Sequence, residues 1–148
     1  MKLLMKAAVA IIAMLGFAMQ PASAQNATHK VAIQVNVNDP ATVNLALNNA
    51  QNILSYYKAK NETVDVQVVT FGPGLHMLRA DTSTVKQRIS TMTLENPTLK
   101  FAACTNTQEN MAKAEGKKIE LISEAKSVPS EVITLMELQK SGYAYLRP

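Results

Sequence analysis

Strand-type and helix-type patterns alternate along this 148-residue chain, and the alternation restricts the possible folds severely. The first strand-type run, residues 31–37, is β-branched and mostly apolar, as expected for a central strand covered on both faces. Four further strands are predicted at residues 64–71, 99–103, 125–128 and 143–147, the last at a sheet edge. Helical patterns separate these strands. The order predicts βαβ units, and therefore a three-layer α/β sandwich around a mainly parallel sheet of about five strands.

Capping residues and breakers mark the ends of the predicted helices. Asp39 is the expected N-cap of the first helix, Pro40 its first residue, and about Lys58 its end. The other predicted helical segments are a short turn at 75–80 after Gly72-Pro73-Gly74, a helix from Thr82 or Ser83 to about Met92, a helix at 105–115 closed by Gly116, and a last helix between Pro129 and Gly142.

The first residues have the layout of a secretory signal peptide. Two lysines precede an apolar stretch at about residues 7–19, and Ala22-Ser23-Ala24 forms an A-x-A cleavage pattern. The apolar stretch is shorter than the roughly 20 residues that span a bilayer. We therefore expect a bacterial signal peptide at residues 1–24, cleaved after Ala24, and a single periplasmic domain at residues 25–148.

Composition excludes several classes of function. The precursor has a net charge of +4, and removing Lys2 and Lys6 without any acid leaves +2 and no basic cluster, so nucleic-acid binding has no support. No second long apolar run follows the signal, so no membrane association is expected after cleavage. One cysteine and two histidines form no metal-ligand spacing, and no phosphate-binding or haem motif indicates a cofactor. No Ser-His-Asp order or carboxylate pair indicates a hydrolase.

Cys104, the only cysteine, ends the third predicted strand where a helix begins. The unpaired N–H groups and positive dipole end of a helix N-terminus favour the thiolate, which is the nucleophilic form. A free cysteine is also often a small buried apolar residue, and a lone one can pair with another chain. The residues alone leave these three interpretations open.

Two further segments should lie at the same edge of the sheet as Cys104–Thr107, because the carboxyl ends of parallel strands gather there. They are Asn36–Asp39, which includes Asn38, and Gly72–His76. His76 is either a base that activates the thiol or an exposed surface histidine. Gly72 and Gly74 either form a tight turn or supply backbone N–H groups to a thiol pocket.

Five segments in order, residues 29–35, 45–50, 69–75, 101–107 and 142–148, resemble the DsrE/DsrF-like family, and more narrowly its exported branch. The resemblance implies an α/β sandwich of flavodoxin-like arrangement that assembles into homo-oligomers, trimers or hexamers. In cytoplasmic relatives a cysteine carries sulfur as a persulfide, and Cys104 matches that cysteine. An exported protein lacks the partner proteins of those cytoplasmic relays.

The resemblance predicts an exported sulfur-handling protein, either a persulfide carrier or a sulfurtransferase. Cys104 would attack a sulfane-sulfur donor, hold the sulfur as a persulfide and pass it to a thiol-bearing acceptor protein. Asn106 and backbone N–H groups near Thr107 would steady the persulfide, with His76 as a possible base. The alternative is a non-catalytic binding or oligomeric assembly module in which Cys104 is structural.

Overall fold

The computed structural model describes residues 29–148, so the predicted signal peptide lies outside the described residues. The domain alternates strands and helices throughout. In chain order these are β1 (His29–Val35), α1 (Pro40–Ala59), β2 (Val64–Thr70), a 3₁₀-helix (Gly72–Leu78), α2 (Lys86–Glu95), β3 (Leu99–Cys104), α3 (Thr105–Glu115), β4 (Ala125–Val128), α4 (Glu131–Lys140) and β5 (Ala144–Leu146).

The five strands form one parallel sheet in the order β4-β3-β2-β1-β5. The chain moves outward from β1 to β4 and then returns to place β5 on the free side of β1. The α/β sandwich, the parallel sheet and the edge position of the last strand are confirmed. In flavodoxin the strand order is 2-1-3-4-5, so the two folds share their layers and differ in strand order.

One face of the sheet holds most of the hydrophobic core. Side chains from alternate positions of β1, β2 and β3 pack there against α1, the 3₁₀-helix and α2, with Ile33, Val66 and Phe101 almost wholly buried. The predicted cap of α1 is confirmed, since the Asp39 carboxylate accepts the backbone N–H of Thr42 at 2.8 Å. This layer forms the larger part of the apolar core that stabilises the domain.

The opposite face is covered by α4 towards the carboxyl ends of the strands. Its core is a small cluster of four buried residues: Ala32, Val69, Ala102 and Leu135. Towards the other ends of the strands this face carries Gln67, Lys100 and Lys126, which line part of a cleft of about 520 Å³ beside β3. Cys104 has the same strand parity as Ala102, so it belongs to the face that α4 covers.

Several helix boundaries differ from the sequence predictions. The second α-helix begins at Lys86, later than predicted. The Ser83 hydroxyl donates to the carbonyl of Met77 at 2.6 Å and accepts the backbone N–H of Val85 at 3.3 Å, so it belongs to the turn before the helix. The helix continues to Glu95 and not only to Met92. The helical turn after β2 includes Gly72 and starts earlier than Leu75, and β1 spans residues 29–35 rather than 31–37.

Candidate functional site

Cys104 is both the last residue of β3 and the N-cap of α3. Its backbone is extended (φ −66°, ψ 118°), which lets the side chain turn back over the first turn of α3. The sulfur accepts the backbone N–H of Thr107 at 3.5 Å. Cys104 thus occupies the position that serine or aspartate often takes at a helix start. The predicted strand-to-helix junction is confirmed.

The second partner of the sulfur is a carboxylate that was not predicted from the sequence. The Cys104 thiol donates a hydrogen bond to Oε2 of Glu131 at 2.8 Å. Glu131 is the first residue of α4, where a negative charge interacts favourably with the helix dipole. The register pairs Cys104 with Val128, so the carboxyl end of β4 brings the start of α4 beside the thiol. The acidic residue after Pro129 was the available sequence signal, but its proximity required the strand order.

This arrangement places opposite influences on one sulfur atom. The N–H of Thr107 and the N-terminus of α3 favour a thiolate, whereas the Glu131 carboxylate accepts the proton of the neutral thiol. The thiol has no solvent exposure, so no reagent reaches it in this conformation. The Glu131 carboxylate lies within hydrogen-bond distance to accept the thiol proton when a reaction forms the thiolate.

Two of the predicted supporting residues are joined directly. The backbone N–H of Gly72 donates to the hydroxyl of Thr107 at 3.0 Å, linking the turn after β2 to the first turn of α3. Gly72 lies at φ +50°, a left-handed conformation in which glycine carries no Cβ penalty. The N–H of Gly72 therefore binds the helix that carries Cys104 and not the sulfur itself.

Gly74 has a packing role. A Cβ at this position would lie 2.3 Å from the carbonyl oxygen of Val35 and 2.9 Å from Cα of Asn36. The 3₁₀-helix therefore packs backbone against backbone on the end of β1, which is possible only without a side chain.

His76 and Asn38 form a separate group. The ring Nδ1 of His76 and the hydroxyl of Thr82 are hydrogen-bonded at 2.9 Å. Both residues line a small cleft with Asn38 near the start of α1. The helix that carries His76 packs on the core face, opposite the α4 layer that contains Glu131. Within the described residues Glu131, and not His76, is the titratable group in contact with the thiol.

Asn106 is exposed at the second residue of α3. The backbone donor to the sulfur is that of Thr107, one residue further along. Helix geometry explains this, because an N-cap side chain faces the N–H of the second or third helical residue.

The far end of α3 is anchored by a buried arginine that was likewise not predicted from the sequence. The Arg79 side chain is 1% exposed and is held by two carboxylates. Its Nε and Nη2 donate to Asp81 at 2.9 and 2.8 Å, and both terminal nitrogens donate to Glu115 in the last turn of α3. Lys117 adds a second cation at 2.8 Å from Asp81. This Arg79 clamp, Arg79 with Asp81 and Glu115, ties α3 to the segment after the 3₁₀-helix.

The clamp shifts the titration of its members. Hydrogen bonds from Arg79, then from Lys117, hold the pKa of Asp81 well below its ordinary value. The hydrogen bond from Arg79 likewise lowers the pKa of Glu115. Hydrogen bonds to Glu115, then to Asp81, raise the pKa of Arg79, so the guanidinium stays charged despite burial.

Two negative findings apply to the described part of the chain. No cluster of three or more His, Cys, Asp or Glu side chains is arranged to hold a metal ion within residues 29–148. Of the α-helices in those residues, none combines the length and hydropathy that spanning a bilayer requires.

The fold and the site define an α/β sandwich with a thiol at the carboxyl edge of a parallel sheet. Among solved structures, the chain is similar to MTH1491 from Methanobacterium thermoautotrophicum, described as a protein of unknown function: TM-score 0.68, 29% identity, 81% of this chain and 99% of that chain. It is also similar to the ychN protein from E. coli, with a TM-score of 0.57, 14% identity and the same coverage. No family model matches the sequence, and no curated protein matches it either.

Proposed function

We propose that this protein is an exported sulfur carrier of the DsrE/DsrF-like type in which Cys104 holds sulfur as a persulfide. The observation that supports the proposal is the surroundings of the Cys104 sulfur. A helix N–H points at it from Thr107, and the Glu131 carboxylate lies 2.8 Å away to take its proton. A thiol that is buried beside its own proton acceptor suits a carrier that is activated only when a donor is present.

The proposed loading step exchanges one sulfur–sulfur bond for another. The thiol proton passes to Glu131, and the Cys104 thiolate attacks the terminal sulfur of a donor persulfide, R–S–SH. A new S–S bond forms on Cys104 while the donor S–S bond breaks, and the leaving R–S⁻ recovers the proton from Glu131. The products are a Cys104 persulfide and R–SH, so no external oxidant or reductant is consumed. Attack by an acceptor thiol on the outer sulfur reverses the process and unloads the carrier.

The setting of the proposal comes from the amino-acid sequence. The signal peptide at residues 1–24 directs the chain to the periplasm, and the mature domain assembles with copies of itself as trimers or hexamers. The acceptor is a thiol-bearing protein, and the donor is a small sulfane-sulfur compound. Neither a metal nor an organic cofactor takes part in the step as written.

The intact mass of the protein tests this proposal. Protein purified from its native compartment without reductant is weighed before and after incubation with polysulfide. We expect a gain of one sulfur atom that reductant reverses and that Cys104→Ser abolishes. Glu131→Gln keeps the size of the side chain but cannot take the proton, so loading should be slower. Glu137→Gln, in the same helix and paired with Lys140, is the matched control and should load normally.

A second candidate is a non-catalytic binding or assembly module in which Cys104 fills space in the core. The complete burial of Cys104 favours it. In that case polysulfide adds no mass, and the native thiol also resists alkylation. A sulfur gain that persists in Cys104→Ser would likewise contradict the carrier proposal, because the sulfur would then reside elsewhere.

A further inference from the structure

Two helices meet at the buried sulfur of Cys104, and they are anchored very differently. Helix α3 supplies the N–H of Thr107, and α4 supplies the carboxylate of Glu131. Since Cys104 has no exposed surface, any reagent or sulfur donor must reach it through a movement of one of these elements.

No side chain of α3 is fully buried, but polar contacts hold the helix at both ends. At its start the hydroxyl of Thr107 accepts the N–H of Gly72, and one residue later Gln108 Nε2 donates to the carbonyl of Ile119 at 2.6 Å. At its end the Arg79 clamp holds Glu115 through a buried guanidinium. Displacing α3 would take Glu115 from that buried guanidinium and leave it with Asp81 alone, which makes the movement costly.

Helix α4 is held mainly by apolar packing against the sheet. Leu135 is its one buried residue, at 8% exposure, with Leu138 partly buried beside it. The outward residues Val132, Ile133 and Met136 are each about half exposed. The other buried residues of this cluster are Ala32, Ala102 and Val69, and Phe71, Val128 and Tyr143 pack against it partly buried. The attachment of α4 is therefore apolar, unlike the ion pairs and polar contacts that hold α3.

Both ends of α4 can act as pivots. Ser130, in extended conformation, precedes it, and Gly142, at φ +86°, follows it. At the second end Lys30 donates to the carbonyl of Ser141 at 3.2 Å, an exposed contact that holds the end of the helix near β1. Beyond Gly142, the hydroxyl of Tyr143 accepts a hydrogen bond from Gln67 at 3.1 Å, so the chain is attached to the sheet again immediately after the helix.

We infer that α4, residues Glu131–Lys140, is a hinged cover that opens locally to expose Cys104 while the rest of the domain stays folded. Opening separates Glu131 from the thiol and removes Leu135 from its cluster, and the core on the other face of the sheet is untouched. The inference rests on the proposed function for its purpose, since a carrier thiol must be shielded between loading and delivery. The contacts and burial from which the hinged cover is inferred do not depend on sulfur chemistry.

Alkylation of the folded protein tests the inference, and the single cysteine makes the readout specific to one site. The rate of iodoacetamide labelling is measured in increasing urea, well below the unfolding transition. Local opening of α4 exposes little surface, so the logarithm of the rate should rise with urea far less steeply than global unfolding predicts.

Two variants of matched type separate local from global opening. Leu135→Ala truncates the one buried side chain of α4 and should speed labelling by about 30-fold or more. Met92→Ala removes a side chain from the other core and should leave the labelling rate within about twofold, since it does not touch the cover. Equal acceleration by both variants, or a urea dependence equal to that of global unfolding, would overturn the inference.

The same samples treated with polysulfide separate this inference from the proposed function. If alkylation follows α4 opening but no sulfur is gained, the hinged cover is supported and the carrier proposal is contradicted. If sulfur is gained at the same rate in wild type and Leu135→Ala, the carrier proposal is supported and the hinged cover is contradicted.

Discussion

Replacing Gly74 with alanine should destabilise the domain strongly, although the change adds one methyl group. The new Cβ would lie 2.3 Å from the carbonyl oxygen of Val35 and 2.7 Å from its carbonyl carbon. These are backbone atoms at the end of β1, so no side-chain rotation can relieve the contact. The φ angle of Gly74 is not positive, which leaves the clash as the source of the cost.

The size of the effect follows from the movement that the clash requires. Restoring an ordinary contact of at least 3.4 Å needs a retreat of about 1.1 Å by the 3₁₀-helix. Overpacking of this kind costs about 1–3 kcal/mol. The retreat also withdraws Leu75 and Leu78, both fully buried, and complete burial of one such side chain contributes about 1.5–3 kcal/mol. We expect a loss of about 3–5 kcal/mol in the free energy of unfolding.

Urea denaturation followed by far-UV circular dichroism measures this loss, with Gly116→Ala as the control. Gly116 lies at φ +63°, and a Cβ added there would meet nothing within 4 Å, so alanine brings backbone strain without a clash. That strain is worth about 1–2 kcal/mol. If Gly74→Ala lowers the free energy of unfolding no more than Gly116→Ala does, the 3₁₀-helix does not pack on β1 as closely as inferred.

Two further predictions concern the contacts that hold α3. Because Arg79 lowers the pKa of Asp81 and Glu115 in the folded state, their contribution is present at neutral pH and is lost on acidification below about pH 5. Arg79→Met should therefore have a lower free energy of unfolding than wild type at pH 7, and should lose less of it between pH 7 and pH 3. Urea titrations at each pH measure both values. Equal losses in the two proteins would contradict the clamp. Thr107→Val leaves the N–H of Gly72 without its acceptor and should cost about 1–3 kcal/mol, whereas Thr107→Ser, which keeps the hydroxyl, should cost less.

The architecture could be predicted because its determinants are local. Apolar runs, the Asp39-Pro40 start signal and Gly116 act within a few residues, and they place strands and helices without reference to the rest of the chain. The start of the second α-helix was predicted too early. Serine is a common N-cap residue, but Ser83 forms a turn in which its hydroxyl donates to Met77 and accepts from Val85, and the helix begins at Lys86.

In the candidate site, too, features set by adjacent residues were predicted and features set by tertiary packing were not. Cys104 at a helix start and the glycine turn after β2 were identified from adjacent residues, and Thr107 and Gly72 are joined as neighbours at the predicted edge. His76 was predicted as a possible base from the same edge argument, but its contacts lie with Thr82 and away from the α4 layer. Sequence spacing gives the edge of a sheet but not the face on which a side chain lies.

By itself the sequence determined the class of fold, the succession of its elements and the position of the lone thiol, because periodicity, capping and strand ends are properties of short segments. The tertiary structure alone decided the partners of that thiol. Glu131 is 27 residues away and reaches Cys104 only because β4 pairs with β3. Arg79 finds Glu115 across 36 residues for the same kind of reason. Contacts of this range depend on strand order and on which face each helix covers, and those are consequences of packing the whole chain at once.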